Sequence, residues 1–382
     1  MSCHRLGFWG AWIWLFLFLI IFGCKPEANV VQMSIQVGGG SEATELATTL
    51  SIEIASVTIP TEVNHIQPNT TISPSPNSTP SQTPTPSHTP DPYENYTINY
   101  LTQREYGGGT LQVKGVMAEN SYFTRYLVSY PSDGLVIYGF MNVPKRGEPP
   151  YRVVIALHGY IEPEIYSTLD YTTGYADALA VAGFFVLHPN LRGYQPSDSG
   201  DNLFRVGMAT DVLNLIALVE KQAGRPGALE LAEANSIGVW GHSMGGGIAT
   251  KVITVNPKVR AAVLYGAMSG DEEQNYERIY NYFSDGTRGL EELSAPDEVF
   301  QQVSPINYLD RIQAAVSIHH GEDDQEVPRS WSQDTCRRLQ EVQKNVECFT
   351  YPGQGHTFHD EGETLFIQRM IEFFRKYLDG KP

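Results

Sequence analysis

Basic residues are scarce in this chain of 382 amino acids: 26 lysines and arginines stand against 43 aspartates and glutamates, which gives a formal net charge of −17. No segment gathers the basic side chains into a stripe, and the sequence contains no internal repeat. Because a nucleic-acid-binding surface needs clustered positive charge, this balance argues against nucleic acid as a partner. Hydrophobic residues make up 41% of the chain, enough to build a sizeable core.

The N-terminus carries a targeting segment. Arg5 precedes an apolar run from Phe8 to Phe22, which is followed by Gly23-Cys24. This ending resembles the signal of bacterial lipoproteins, in which a small residue precedes the cysteine that becomes lipidated. Residues 1–24 are therefore predicted to be a lipoprotein signal peptide with Cys24 as the lipid site, so that the protein is extracytoplasmic and anchored to the membrane at the cell surface. An uncleaved signal anchor is the alternative, because the apolar run is nearly long enough to span a bilayer.

Cysteine is scarce as well, with four in the chain. Cys3 falls within the predicted signal peptide, and Cys24 is the predicted lipid site. Cys336 and Cys348 remain as an even pair, which in an oxidising compartment favours a disulfide. Two buried free thiols are the alternative, since unpaired cysteine is commonly buried.

Residues 25–92 lack the apolar periodicity of a folded domain. From residue 60 onward the segment is rich in proline, serine and threonine, as in SPSPNSTPSQTPTPSHTPDP. Such a composition cannot bury enough apolar surface to fold and favours extended, polyproline-like conformations. We therefore expect residues 25–92 to form a disordered stalk that holds a folded domain, residues 93–382, away from the membrane.

The predicted domain begins with a strand hairpin and continues with alternating strands and helices. Strand-like segments 122–130 and 135–143 flank the turn sequence Pro131-Ser132-Asp133-Gly134. Six apolar runs follow and predict buried strands, at 152–157, 184–188, 236–240, 261–265, 314–318 and 346–351. Helical patterns accompany them at about 168–182, 205–223, 244–255, 330–344 and 361–378. The sequence thus predicts an α/β fold with a mostly parallel, eight-stranded sheet, an N-terminal antiparallel hairpin and helices on both faces. Residues 267–312 interrupt the alternation and are predicted to form a small lid.

A candidate nucleophile lies in Gly241-His242-Ser243-Met244-Gly245. This pattern follows a strand-like run and opens a helix-like segment, which is the context of a nucleophile elbow. The flanking glycines suit a strained turn in which other side chains would collide with backbone. Ser243 is therefore the predicted nucleophile.

A serine nucleophile needs a base, and the base needs an acid to orient it. His356 and Asp324 supply them in the chain order Ser, Asp, His, and both lie just past the ends of predicted parallel strands, where ligands bind in open α/β sheets. Asp324 is chosen because it occupies the aspartate position of a His-Gly-x-x-Asp-x-x-Val-Pro pattern, and His356 because the glycines before it suit a tight loop. The alternatives are Glu322, Asp323 and Glu326 for the acid and His359 for the base.

The oxyanion hole requires two backbone N–H donors. Met244, which follows the nucleophile, and Tyr160, which follows Leu157-His158-Gly159, are the predicted donors. His158 is expected to hold its loop, and Arg192 to pair with Asp211. Four further side chains are expected either to line a substrate pocket or to lie in the core: Tyr160, Tyr166, Tyr265 and Met268.

From about residue 122 to its C-terminus the chain resembles the catalytic domain of the prolyl oligopeptidase (S9) family, a branch of the α/β-hydrolases. The resemblance is carried by seven motifs: Ser132-Asp133-Gly134, His158-Gly159-Tyr160, Asn190-Leu191-Arg192-Gly193-Tyr194, Gly241–Gly245, Ser304-Pro305-Ile306-Asn307-Tyr308, His320–Pro328 and Gly355-His356-Thr357-Phe358. It implies a serine hydrolase that acts as a peptidase or an acyl esterase, with the triad assigned above, no cofactor and no metal.

Full-length members of this family carry a β-propeller ahead of the catalytic domain. The segment from 93 to about 121 is too short for propeller blades of about 40–50 residues each. The peptide selectivity of the family therefore does not transfer to this chain, and a carboxylic ester is the expected substrate, with a short peptide as the alternative. A catalytically inactive surface binding protein is the alternative from another class, and the presence of all three triad residues argues against it.

Overall fold

The structure, a computed structural model, describes residues 91–379. The described residues belong to one compact unit. The predicted signal peptide and stalk lie outside the described residues, except for Asp91 and Pro92, and the domain boundary at residue 93 stays a prediction. No helix within residues 91–379 is both long enough and apolar enough to cross a membrane.

The domain is organised around one mixed β-sheet. Its strands are β1 (Gln112–Glu119), β2 (Phe123–Ser132), β3 (Leu135–Pro144), β4 (Tyr151–Leu157), β5 (Phe185–Pro189), β6 (Ala232–His242), β7 (Ala261–Tyr265), β8 (Ala315–Gly321) and β9 (Val346–Tyr351). They lie in the order β1-β2-β3-β5-β4-β6-β7-β8-β9. The pairs β1–β2, β2–β3 and β3–β5 are antiparallel, and the remaining pairs are parallel.

The predicted fold class is confirmed, but the sheet has nine strands and not eight. The additional strand is β1, which lies at the edge of the sheet and pairs only with β2. Seven of its eight residues are exposed, and the eighth is only partly buried. A strand without a buried face has no alternation of apolar and polar residues, so its sequence carries no strand signal.

Helices cover both faces of the sheet. They are α1 (Ile98–Gln103), α2 (Thr173–Val181), α3 (Val206–Gln222), α4 (Met244–Val255), α5 (Glu272–Arg278), α6 (Leu290–Leu293), α7 (Asp297–Val303), α8 (Arg329–Glu341) and α9 (Asp360–Leu378). Alternate residues of β4 point to opposite faces: Val153 and Ile155 pack in the core on the side of α3 and α4, and Val154 packs in the core on the side of α2 and α9. Burial on both faces explains why the central strands are continuous apolar runs.

The segment between β7 and β8, predicted as a lid, contains α5, α6 and α7. These helices are short, and α5 contacts both of the others. Without a long apolar stripe, they could not be located from the sequence alone.

A disulfide joins α8 to β9. The sulfur atoms of Cys336 and Cys348 are bonded, and the Cα atoms of the two residues lie 6.4 Å apart. Because β9 leads into the loop that contains His356, this bond links α8 to the strand that positions that loop.

We expect the double substitution Cys336→Ser/Cys348→Ser to lower the free energy of unfolding by about 2–3 kcal/mol, because the bond closes a short loop and so restricts the unfolded chain. Urea denaturation measures this difference. The matched control is Gln340→Ala, an exposed position on the same helix, which should leave stability unchanged. Two free thiols in mass spectrometry of a non-reduced digest would contradict the pairing.

Candidate active site

Ser243 occupies the sharp turn between β6 and α4. Its φ of 55° and ψ of −117° lie in a region that non-glycine residues rarely adopt, at a cost of about 1–3 kcal/mol. Backbone hydrogen bonds hold it there: the Ser243 N–H donates to the Tyr265 carbonyl at 2.9 Å, and the Ser243 carbonyl accepts from the Met268 N–H at 3.0 Å. The turn thus depends on the end of the neighbouring strand β7.

Gly241 is required by close packing at this turn. A Cβ atom at this position would collide with the carbonyl oxygen of Gly245, at the start of α4. The glycine therefore allows the strand and the helix to approach each other closely, as the sequence pattern predicts.

Asp324 and His356 come together from the loops that follow β8 and β9. The Asp324 Oδ2 lies 2.7 Å from the His356 Nδ1. Because a carboxylate oxygen can only accept, Nδ1 carries the hydrogen and Nε2 is left as the basic nitrogen. The other carboxylate oxygen accepts the N–H groups of Glu326 and Val327, both at 2.9 Å.

These contacts keep Asp324 ionised. Burial raises its pKa, but the hydrogen bonds from His320 and His356 outweigh burial and hold the pKa well below its usual range. His320 lies 3.2 Å from Asp324 Oδ2 through its Nε2, and its Nδ1 lies 2.7 Å from the Ser332 hydroxyl. An ionised carboxylate beside His356 would stabilise an imidazolium if His356 took up a proton.

None of the alternative acids, and not the alternative base, occupies the position of Asp324 or of His356. Asp323, Glu322 and His359 are exposed. Glu326 is closer, with its Oε2 3.7 Å from the His356 Nε2, but its side chain is 58% exposed. Of the acidic rivals, only Glu326 thus approaches the histidine, and from the side opposite to the orienting hydrogen bond.

Ser243 and His356 line the same cavity, but the structure does not join them by a hydrogen bond. Within the described part of the chain, the His356 Nε2 is buried and has no hydrogen-bond partner. Catalytic hydrogen bonds are often long in unliganded enzymes and shorten when substrate binds. The unused basic nitrogen is therefore available to the nucleophile.

The predicted oxyanion donors lie on either side of Ser243. Met244 is the first residue of α4, and a Cβ added at Gly159 would lie 3.2 Å from the Ser243 Cβ, so the loop that carries Tyr160 lies close beside Ser243. Among residues 91–379, no group accepts a hydrogen bond from the amide of Tyr160 or of Met244. Two free backbone donors beside a strained serine form the arrangement that an oxyanion hole requires.

Two residues have the structural environments expected for them. His158 is buried, its Nδ1 donates to the Gly159 carbonyl at 2.8 Å, and burial lowers its pKa to about 4. Arg192 forms a bidentate pair with Asp211, with its Nε 3.0 Å and its Nη2 2.7 Å from the two carboxylate oxygens. Both side chains stabilise the loops that surround the site.

The cavity has a volume of about 540 Å³. Of the four side chains considered from the sequence, Tyr160 and Met268 line it, whereas Tyr166 and Tyr265 are buried in the core. The lining residues that no sequence pattern pointed to include Arg205, Tyr276, Phe283, Arg288 and Glu292. Four of these five come from the part of the predicted lid that precedes its Ser304-Pro305-Ile306-Asn307-Tyr308 motif.

Arg205 illustrates why such residues escape detection. Its guanidinium pairs with the buried Glu272 at 2.6 Å, and the buried Lys251 pairs with the same carboxylate at 2.8 Å. Burial raises the pKa of Glu272, but Arg205 and Lys251 outweigh it and lower the pKa to about 2. The three residues are distant in sequence, and only the folded chain brings them together. Within residues 91–379, no group of three or more His, Cys, Asp or Glu side chains is arranged to hold a metal ion.

Solved structures share this architecture. Acetyl xylan esterase 1 from Thermoanaerobacterium sp. JW/SL YS485 superimposes with a TM-score of 0.55 at 18% identity, over 74% of this chain and 94% of that chain. The acylaminoacyl peptidase of Pyrococcus horikoshii superimposes with a TM-score of 0.51 at 17% identity, over 73% of this chain and 52% of that chain. At these identities the likeness shows the fold.

Sequence comparison is more specific. A curated relative, the uncharacterized peptidase YtmA of Bacillus subtilis (strain 168), is 25% identical over 258 residues, which are 65% of this chain and 93% of that protein. The sequence model of the prolyl oligopeptidase family matches residues 175–381, more than half of the chain. Fold and site together define a serine hydrolase of the α/β-hydrolase fold. Within that class, this chain belongs to the prolyl oligopeptidase family.

We expect Ser243→Ala and His356→Ala each to reduce kcat by about 10⁴-fold or more, and the double variant to lose little beyond either single one, because the residues act as a unit. Asp324→Asn should reduce kcat by about 10²–10⁴-fold, because it favours the wrong histidine tautomer. Steady-state kinetics on an activated ester measures these changes.

Asp323→Asn is the matched control for the acid, because Asp323 is adjacent in sequence but exposed. It should keep wild-type activity. A severe loss in Asp323→Asn together with a mild one in Asp324→Asn would show that the acid is misassigned.

Proposed function

We propose that this serine hydrolase cleaves carboxylic esters through an acyl-enzyme on Ser243. The observation that carries the proposal is the buried Nε2 of His356, which has no hydrogen-bond partner among residues 91–379. Asp324 orients the ring from its other side, and Ser243 lines the same cavity. A base in this state has one available task, which is to take the proton of the serine hydroxyl.

In the first step, His356 Nε2 takes the proton from the Ser243 Oγ while the oxygen attacks the ester carbonyl. The N–H groups of Tyr160 and Met244 donate to the oxyanion of the tetrahedral intermediate. The imidazolium, stabilised by Asp324, then gives its proton to the departing alcohol. A water molecule, deprotonated by His356, attacks the acyl-enzyme in the same way, and release of the carboxylic acid restores Ser243.

One chemical argument and one structural comparison favour an ester over a peptide. An alcohol leaves with less help from the protonated His356 than an amine does. Of the solved structures compared, the one titled acetyl xylan esterase matches this chain over 94% of its own length, whereas the acylaminoacyl peptidase does so over 52%. The fold shared over nearly the whole length of that esterase supports a small ester as the substrate.

The cavity agrees with a substrate of modest size. Its volume of about 540 Å³ lies within the range of about 300–1,000 Å³ that is typical of small-molecule sites. Tyr160, Met268 and Phe283 give it apolar walls suited to an acyl chain or an aromatic group.

Hydrolysis of short peptides is the second candidate. It is favoured by membership of the prolyl oligopeptidase family and by the name of the Bacillus subtilis relative, which is that of a peptidase. An inactive surface binding protein is disfavoured by the intact pairing of Asp324 with His356, and a fluorophosphonate probe that labels the wild type but not Ser243→Ala would exclude it.

We expect p-nitrophenyl esters to be hydrolysed with a kcat/KM at least about 10-fold above that of aminoacyl- and prolyl-anilides, because the ester needs less acid assistance. A panel of esters with graded acyl chain length, assayed beside the anilides, measures this ratio and locates the preferred acyl size. Ser243→Ala is the control for background hydrolysis. A higher kcat/KM on an anilide would establish the peptidase instead.

We further propose that the protein is exported and tethered to the membrane through a lipid on Cys24. The support is the Gly23-Cys24 sequence after an apolar run, ahead of a segment rich in proline, serine and threonine. The stalk would place the catalytic domain at some distance from the membrane surface.

We expect Cys24→Ser to release the protein from the membrane fraction or to leave an unprocessed precursor, because no thiol remains for lipidation. Cell fractionation and the mass of the N-terminal peptide give the result. Cys3→Ser, which removes a cysteine within the predicted signal peptide, is the matched control and should change neither. Unchanged attachment and processing in Cys24→Ser would favour the uncleaved signal anchor.

A further inference from the structure

We propose that Tyr171 and His242 are positioning residues. Together they fix the oxyanion loop, which contains Gly159 and Tyr160, relative to the catalytic histidine, His356. A line of three hydrogen bonds runs through them, from the amide of Gly159 to the carbonyl of His356. The proposal rests on the acyl-transfer mechanism above, but not on whether the substrate is an ester or a peptide.

The geometry fixes the direction of each hydrogen bond. The His242 Nε2 lies 2.9 Å from the carbonyl oxygen of His356, which can only accept, so Nε2 carries the hydrogen. The His242 Nδ1 must then accept, and its partner at 2.6 Å is the Tyr171 hydroxyl, which donates. The Tyr171 oxygen in turn accepts the N–H of Gly159 at 3.1 Å. One tautomer of one histidine therefore satisfies the whole line.

The surroundings of His242 preserve this tautomer. Its side chain is buried, and burial together with the nearby His356 lowers its pKa to about 3, so the ring is neutral across the physiological range. Tyr265 and His356 pack against it with ring centroids 4.3 Å and 4.6 Å away. The ring cannot turn without losing hydrogen bonds at both of its nitrogens.

Each end of the line lies next to a group that acts in the reaction. Gly159 precedes Tyr160, whose amide is the proposed oxyanion donor, and a Cβ at Gly159 would collide with the Tyr171 hydroxyl, so the loop and the tyrosine are in direct contact. The other end holds the backbone of His356. His242 itself precedes Ser243 in the chain. The line therefore links the oxyanion loop, the nucleophile turn and the base.

Neither side chain is assigned a chemical step, so its loss should disturb the transition state more than the bound substrate. A displacement of about 1 Å in catalytic groups can cost about 10²-fold in rate. Tyr171→Phe removes one hydroxyl, leaves the Gly159 amide without its acceptor and leaves His242 Nδ1 without its donor. We expect kcat to fall about 10–100-fold, with KM changed by less than about 3-fold.

Two substitutions of His242 separate the halves of the line. In His242→Asn, the side-chain amide oxygen can take the place of the imidazole Nδ1 and accept from the Tyr171 hydroxyl. No donor then remains for the His356 carbonyl. In His242→Gln, the side-chain NH₂ can take the place of the imidazole Nε2 and still donate to the His356 carbonyl. No acceptor then remains for the Tyr171 hydroxyl. Because His242→Gln and Tyr171→Phe break the same hydrogen bond, their effects on kcat should be less than additive.

The deciding measurement is inhibitor binding and serine labelling in the full-length protein. A trifluoromethyl ketone, which adds to Ser243 and places an oxyanion in the hole, should bind about 10-fold or more weakly to Tyr171→Phe, in parallel with kcat. The matching methylene ether, which cannot react, should bind as it does to the wild type. The rate of labelling by a fluorophosphonate should fall with kcat, and this readout holds whichever acyl group the enzyme prefers.

Tyr106→Phe is the matched control, because its hydroxyl also donates one hydrogen bond, to the Leu101 carbonyl at 2.7 Å, away from the cavity. It should keep kcat even if its thermal midpoint falls. Circular dichroism establishes that each variant is folded.

Wild-type labelling and wild-type ketone affinity in Tyr171→Phe would overturn the proposal. An equal loss of ketone and ether affinity would overturn it as well, because it would indicate general damage to the cavity. Loss of labelling in Ser243→Ala and retention of labelling in Tyr171→Phe would refute the positioning role while leaving the hydrolase itself intact.

Discussion

Ser243 adopts a backbone conformation that would be unfavourable in isolation, and the rest of the site is arranged around that turn. The Tyr265 carbonyl and the Met268 amide bind the two backbone polar groups of Ser243, so the end of β7 and the start of the following segment stabilise the strained residue. The conformation lifts the serine out of the strand and starts α4 immediately after it. The amide of Met244 is thereby left without an acceptor from the helix, since the first N–H groups of any helix have none.

The parallel strands of the sheet bring together three residues that are far apart in sequence. β6, β8 and β9 run in the same direction, so the loops after them meet at one edge, and that edge receives Ser243, Asp324 and His356. Asp324 then has one oxygen for the histidines and one for two backbone amides of its own loop. Burial alone would favour a neutral carboxyl, and these hydrogen bonds reverse that preference. The negative charge of Asp324 therefore depends on the conformation of the loop after β8 as well as on its sequence.

How much the sequence predicts depends on whether a feature is local. The central strands and the longer helices are predicted because each buries a continuous run or stripe. The three residues proposed as the triad could be selected because their motifs follow predicted strands, and their catalytic roles stay a prediction. β1 is missed because it buries almost nothing. Arg205, Glu272 and Lys251 are missed because their pairing depends on the position of α5, which has no periodic signal. A hydrogen bond such as that of Tyr171 to His242 joins residues far apart in sequence, so its existence depends on the fold and not on any motif.

His242 belongs to the nucleophile motif, yet nothing in that motif assigns it a role, and an imidazole beside Ser243 could in principle act as a base. Its environment excludes that use: both nitrogens are engaged with partners that fix one tautomer, and burial keeps the ring neutral. A base must have a free nitrogen at the cavity, and of the two histidines that line it among residues 91–379, His242 and His356, only His356 has one. Hydrogen bonding and burial thus give two neighbouring imidazoles different properties: His242 is held in one neutral tautomer, and His356 keeps one nitrogen free. The same neutrality suits the proposed mechanism, because a charged His242 would oppose the imidazolium that His356 would become in each cycle.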